Sequence, residues 1–129
     1  MANYEVKIVA SSKELSAKER VQLKDTTDCI KLDKATLEAK EAGSALIINP
    51  AFFAELAIHN EKSDDKDYTA YVVVDDCGIR YTTGSTSFWN AFINIVDEMA
   101  EETEPWAIKV FRMPSKNRQG KDFLTCSLI

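Results

Sequence analysis

The chain has 129 residues, 45% of them hydrophobic and 29% charged, with 16 Lys and Arg against 21 Asp and Glu for a formal net charge of −5. One domain's worth of chain with this much apolar material excludes intrinsic disorder and a multi-domain machine. No run approaches the roughly 18 apolar residues of a membrane span, and the first residues lack the basic and apolar regions of a secretory leader, so the expectation is a cytoplasmic protein with no membrane association.

In chain order, Tyr4-Glu5-Val6-Lys7-Ile8-Val9 alternates as a short strand. Ser16 and Glu19 have capping-box spacing and predict a turn or two of helix before the polar loop Lys24-Asp25-Thr26-Thr27-Asp28. Between 29 and 44, Leu32, Ala35, Leu37 and Ala39 settle on neither the helical nor the strand period, and Gly43-Ser44 closes the segment. Residues 1–44 are therefore read as an N-terminal extension of weakly specified structure, and 45–129 as the folded domain.

From Ala45 the pattern sharpens. Ala45 to His59 is a long apolar stretch interrupted by Pro50, read as a broken, bulged or edge strand, with a helix over 51–59 as the alternative. Tyr68 to Val74, the turn Asp75-Asp76-Cys77-Gly78, and Ile79 to Thr83 make a β-hairpin. Ser87 is placed to cap a helix whose apolar stripe is Phe88, Ala91, Phe92, Ile95 and Met99, and whose acidic end is expected to fray before Pro105. Trp106 to Met113 and Phe123 to Leu128 alternate as two further strands joined by the turn 114–121. The order strand, strand, strand, helix, strand, strand predicts a mainly β protein with one helix, an OB-fold five-stranded barrel carrying an N-terminal extension.

Catalytic and metal chemistry find little support. Cys29, Cys77 and Cys126 are an odd set without a CxxC pair, read as free thiols, and the single His59 is read as a strand-end residue with no nucleophile beside it. The acidic loop Glu61 to Asp67 lacks the glycine and the terminal glutamate of an EF-hand. No Gly-rich phosphate loop is present, so the expectation is a protein with no enzymatic activity, no metal and no cofactor.

Charge is unevenly spread. Asp97, Glu98, Glu101, Glu102 and Glu104 form an acidic run without a base, whereas Lys109, Arg112, Lys116, Arg118 and Lys121 form a basic run without an acid. In an OB-fold the second and third strands and the loop after the fourth form the usual binding face. That assigns phosphate contacts to Arg80, Lys109, Arg112, Lys116, Arg118 and Lys121, and base stacking to Tyr71 and Phe111, the mixture of rings and cations that single strands require. Along the strand 106–113, Phe111 shares a side with Lys109 and Met113, away from Trp106, Ile108 and Val110, which are read as core; Tyr81 is read as core with Ile79 and Thr83.

Three stretches, His59-Asn60-Glu61-Lys62-Ser63, Tyr81-Thr82-Thr83-Gly84-Ser85 and Pro114 to Lys121, make residues 45–129 resemble small single-stranded DNA-binding proteins encoded by phages of Gram-positive bacteria. The resemblance implies an OB-fold that coats replication or recombination intermediates in an infected bacterial host and meets replication or recombination proteins there. Bacterial members of the wider class end in a flexible acidic tail, whereas this sequence ends in the strand Phe123 to Leu128, so the run Asp97 to Glu104 is the candidate for recruitment instead. Single-stranded DNA is thus the expected partner, together with a homo-oligomer built on the N-terminal extension and the strand near Pro50. The alternative is a phage-type acidic inhibitor or adaptor that binds a host protein.

Overall fold

In the computed structural model, which describes residues 4–25, 29–62, 64, 66–114 and 122–129, the first start signal is in place. Ser16 Oγ accepts from the Glu19 N–H at 3.2 Å, and the Glu19 carboxylate accepts from the Ser16 N–H at 3.0 Å, a complete capping box opening α1 (Ala17–Lys24). Lys13 Nζ, 2.6 Å from Glu19 Oε2, together with the Ser16 N–H, lowers the Glu19 pKa to about 2. Before α1 lies β1 (Tyr4–Ser11), and after it β2 (Ile30–Lys31) and α2 (Leu32–Glu41). The stretch read as weakly specified therefore holds two strands and two helices.

α2 begins without a side-chain cap, since Lys31 occupies the N-cap position. Its far end is better specified: Gly43 takes φ +74°, the Gly43 N–H donates to Lys40 O at 3.0 Å and the Ser44 N–H to Ala39 O at 2.8 Å. These are the two bonds of a Schellman motif, with glycine where a side chain would be strained.

The apolar stretch after it is extended, not helical. β3 (Leu46–Ile48) and β4 (Pro50–Asn60) are separated by Asn49 alone. Pro50 stands at the first position of β4, where its missing N–H is tolerated. β5 (Asp67–Asp75) and β6 (Arg80–Thr83) form the predicted hairpin, closed by Gly78 at φ +86° and by Asp75 Oδ1, which accepts from the Cys77 and Ile79 N–H groups at 2.9 and 2.8 Å. α3 (Thr86–Glu98) is capped by Ser85, not Ser87: Ser85 Oγ accepts from the Phe88 N–H, while Ser87 Oγ donates to Leu124 O at 2.7 Å. A cap of this kind contributes about 1 kcal/mol. With no base in its last turn, α3 ends at Glu98, within the acidic run. β7 (Ile108–Pro114) and β8 (Asp122–Leu128) complete the chain.

The protein is mainly β, with eight strands and three helices among the described residues, which corrects the expectation of one helix. The strands fall into two sheets, one of five strands in the order β1-β4-β5-β6-β2 and one of three in the order β3-β7-β8, and not into a single closed barrel. The stretch around Pro50 is broken as expected: β3, just before the proline, is an edge strand of the three-stranded sheet, whereas β4 lies between β1 and β5, and β1 holds an edge of the five-stranded sheet. Among the described residues no helix is long and apolar enough to cross a membrane.

The chain divides into two compact units, residues 1–30 with 51–84 and residues 31–50 with 85–129; neither begins at residue 45. In the first, Leu15 and Leu23 around α1 close over Ala54, Leu56 and Ile58 of β4 and Ala70, Val72 and Val74 of β5. The alternate β5 residues Tyr71 and Val73 are buried as well, with their partners Thr83 and Tyr81 on β6, so β5 reads as a continuous apolar run. In the second, Phe88, Trp89 and Phe92 of α3 are buried, and α3 packs on β8. The Phe88 and Phe92 rings stack at 5.7 Å, and Trp106, half-buried as core, lies 6.4 Å from Phe92. Leu32, Ile48, Ile108 and Val110 are fully enclosed in the same unit.

Candidate nucleic-acid interface

The three-stranded sheet has one buried face and one open face, and the register determines which residues lie on each. Opposed residues of antiparallel strands share a face. Leu46–Val110–Cys126 and Ile48–Ile108–Leu128 are matched on the α3 side, whereas Ile47–Lys109–Ser127, Phe111–Thr125 and Met113–Phe123 are matched on the other. Ile47, Met113 and Phe123 there are 48%, 44% and 38% exposed, and Phe111 is half-buried. Phe111 and Phe123 are diagonal neighbours, about 7–8 Å apart at the backbone. The Lys109 ammonium lies 5.5 Å from the centroid of the Phe111 ring. Two rings and a cation thus occupy one accessible β surface.

Beside this face, α2 packs on β7 and leaves a groove of about 390 Å³. Lys40, Lys109, Phe111 and Arg112 line it, with no carboxylate among the described residues of the lining. The Arg112 guanidinium also reaches Asp33 of α2 at 3.7 Å. Lys109 and Phe111 share the open face, whereas Arg112, opposed to Leu124, lies on the α3 side of β7 by the same register; all three line the groove.

Tyr71 and Arg80 are not part of this arrangement. Tyr71 is 8% exposed, and its burial, with Glu55 second, raises its phenol pKa; its ring offers no open face for stacking. Arg80 donates from Nη1 to Gln22 O and, at 2.9 Å, to Asp25 O, the carbonyls at the end of α1. It serves as a helix C-terminal cap, where a cation is favoured. Lys116, Arg118 and Lys121 lie outside the described residues.

Phe123, Ile47 and Lys40 are residues of this face and groove that the sequence reading did not single out, whereas Met113 was already placed beside Phe111. The parity of Leu124 and Cys126 as core residues already places Phe123 on the opposite face, so the signal for the second ring was present. Elsewhere the chemistry is quiet. Cys126 is buried and its thiol is pushed up to about 12, while Asp76 and Asp75 raise the exposed Cys77 thiol. Asp75, Asp76 and Cys77 bring ligand atoms within 4.8 Å, but Asp75 is engaged in closing the hairpin turn. His59 directs both ring nitrogens to carboxylates, Nδ1 to Asp67 and Nε2 to Glu61, and neither to a hydroxyl or thiol.

No protein-family model matches this chain, and neither does any curated protein or solved structure.

Proposed function

We propose that the chain is a sequence-tolerant single-stranded DNA-binding protein without a catalytic step, coating replication or recombination intermediates in the cytoplasm of a phage-infected bacterium. The observation that carries this reading is the pair Phe111 and Phe123 on an open sheet face with Lys109 beside the first ring. Bases of any sequence present a π face to such rings, and the Lys109 ammonium, over the Phe111 ring at 5.5 Å from its centroid, is a cation within reach of the backbone of a stacked base. The net charge of −5 does not oppose it, because a phosphate responds to charge within a Debye length of about 8 Å at physiological salt.

The contact set is Lys109, Phe111, Phe123 and Arg112, extended by Lys116, Arg118 and Lys121 of the segment between β7 and β8; Tyr71 and Arg80 belong to the fold. An open OB-type arrangement is part of the proposal. Its support is the order β3, β4, β5, β6, α3, β7, β8, in which the nearly continuous stretch 46–60 contributes to both sheets. Self-association through the β1 edge and recruitment of replication or recombination proteins by the acidic run complete it.

Alanine at Phe111 or Phe123 tests the stacking directly. Each lost stack should weaken oligonucleotide binding by roughly 1–3 kcal/mol, about five- to 150-fold, and leave the salt dependence nearly unchanged, since no counterion is involved. Folded variants that bind as tightly as the parent would refute the platform.

A second reading, an acidic inhibitor or adaptor of a host protein, is favoured by one observation: Asp97, Glu98, Glu101, Glu102 and Glu104 are all exposed. Loss of partner binding on their neutralisation, in a protein that ignores oligonucleotides, is the result that would place it first.

A further inference from the structure

We infer that the groove between α2 and β7 seats a backbone phosphate of the bound strand, with Lys40 as a contact that neither the basic run nor the β surface reveals. The inference rests on the proposed single-strand binding and extends it to residues 32–45. Three cations line this groove from two elements: Lys40 near the end of α2, and Lys109 and Arg112 on β7. Among the described residues no carboxylate lines it, although the chain as a whole carries an excess of acids.

The hydroxyls on its wall are otherwise engaged. Thr36 Oγ1 donates to Leu32 O at 2.7 Å, and Ser44 Oγ donates to Ala39 O at 3.2 Å, so the lysine and arginine groups define the groove's chemistry. Such a site suits a ligand carrying diffuse negative charge and acceptor oxygens for lysine and arginine, which describes a phosphodiester. The ion pair from Asp33 to Arg112 holds the guanidinium on the α2 side.

Phe111 gives the groove its relation to the stacking face, because it lines the groove and also belongs to the open side of β7. A nucleotide whose base lies on Phe111 has its own phosphate next to that ring, and the groove is the cationic site adjoining it. The positive-φ turn at Gly43 sets the wall of this site: it ends α2 one turn past Thr36 and brings Lys40, Ser44 and Ala45 to the lining.

Oligonucleotide titration of the full chain over a range of salt concentrations tests the inference with Lys40→Ala, using Lys34→Ala as the control. Lys34 is exposed on the same helix but does not line the groove. The expected result is a two- to fivefold weakening for K40A, about the worth of one solvent-exposed ion contact. Its log-log salt slope should fall by about 0.7, as one released counterion is lost, while K34A keeps the parent's affinity and slope. An unchanged slope in K40A, or an equal change in K34A, would overturn the phosphate seat. If F111A still weakens binding in that case, single-strand binding stands without it; if the parent binds no oligonucleotide at all, both fail together.

Discussion

His59 is flanked so closely by acids that its charge state becomes a structural variable. Nδ1 is 2.7 Å from Asp67 Oδ1 and Nε2 is 2.6 Å from Glu61 Oε1, and these bonds, that to Asp67 first, raise its pKa above the ordinary 6.5. Lys66 pairs with Glu61 at 3.4 Å, and Glu5 and Lys7 of β1 line the same hollow. A pKa higher in the folded than in the unfolded chain contributes stability that is complete below about 6.5 and is lost as pH rises through the folded value. Melting curves should therefore show Tm falling above that pH in the parent and falling less in His59→Gln. Parallel profiles for the two would show that the imidazolium contributes nothing. At this same scale residue type misleads without register: Arg80 has the side chain of a phosphate ligand but caps α1, whereas Phe123 looks like core until its alternation with Leu124 and Cys126 is followed. The distinction lies in contacts 55 residues apart in sequence, between Arg80 and Asp25, which no local pattern contains.

Among the elements, legibility follows how much of the information is local. The β5–β6 hairpin, the β7 parity and the capping box of α1 were all visible, because each depends on residues a few positions apart. α2 was hidden for two reasons. Its N-cap is Lys31, which gives no start signal, and its inward stripe is the buried Leu32 and Thr36 with the half-buried Ala35 and Ala39, in which Thr36 replaces an apolar residue while the exposed Leu37 supplies a false one. The edge position of β1 was equally invisible, since it depends on pairing with β4 some 50 residues away. That free edge leads to a prediction. Paired antiparallel with a second copy about Val6, β1 places Glu5 of each chain opposite Lys7 of the other, two pairs worth roughly 0.2–1 kcal/mol each. Sedimentation should show self-association of the parent, its loss in Lys7→Glu, and its recovery in the doubly reversed Glu5→Lys, Lys7→Glu protein. A parent that stays monomeric at micromolar concentration would contradict the edge pairing.

For the whole molecule, the decisive feature is local cationic and aromatic chemistry on a chain whose formal charge is −5. Bulk charge lends nucleic acid no support; the sheet face with Phe111, Phe123 and Lys109 and the groove with Lys40 and Arg112 argue for it locally. A platform that works by stacking needs bases whose faces are free, which a duplex hides. A protein that worked by charge alone would instead favour the duplex, whose phosphates are denser along the axis. The most direct measurement is a titration of the parent protein against one labelled oligonucleotide, single-stranded in one arm and annealed to its complement in the other, at low and physiological salt. Clear preference for the single strand, weakening as salt rises, is the predicted result; equal affinity for the two forms, or no binding to either at low salt, would contradict it.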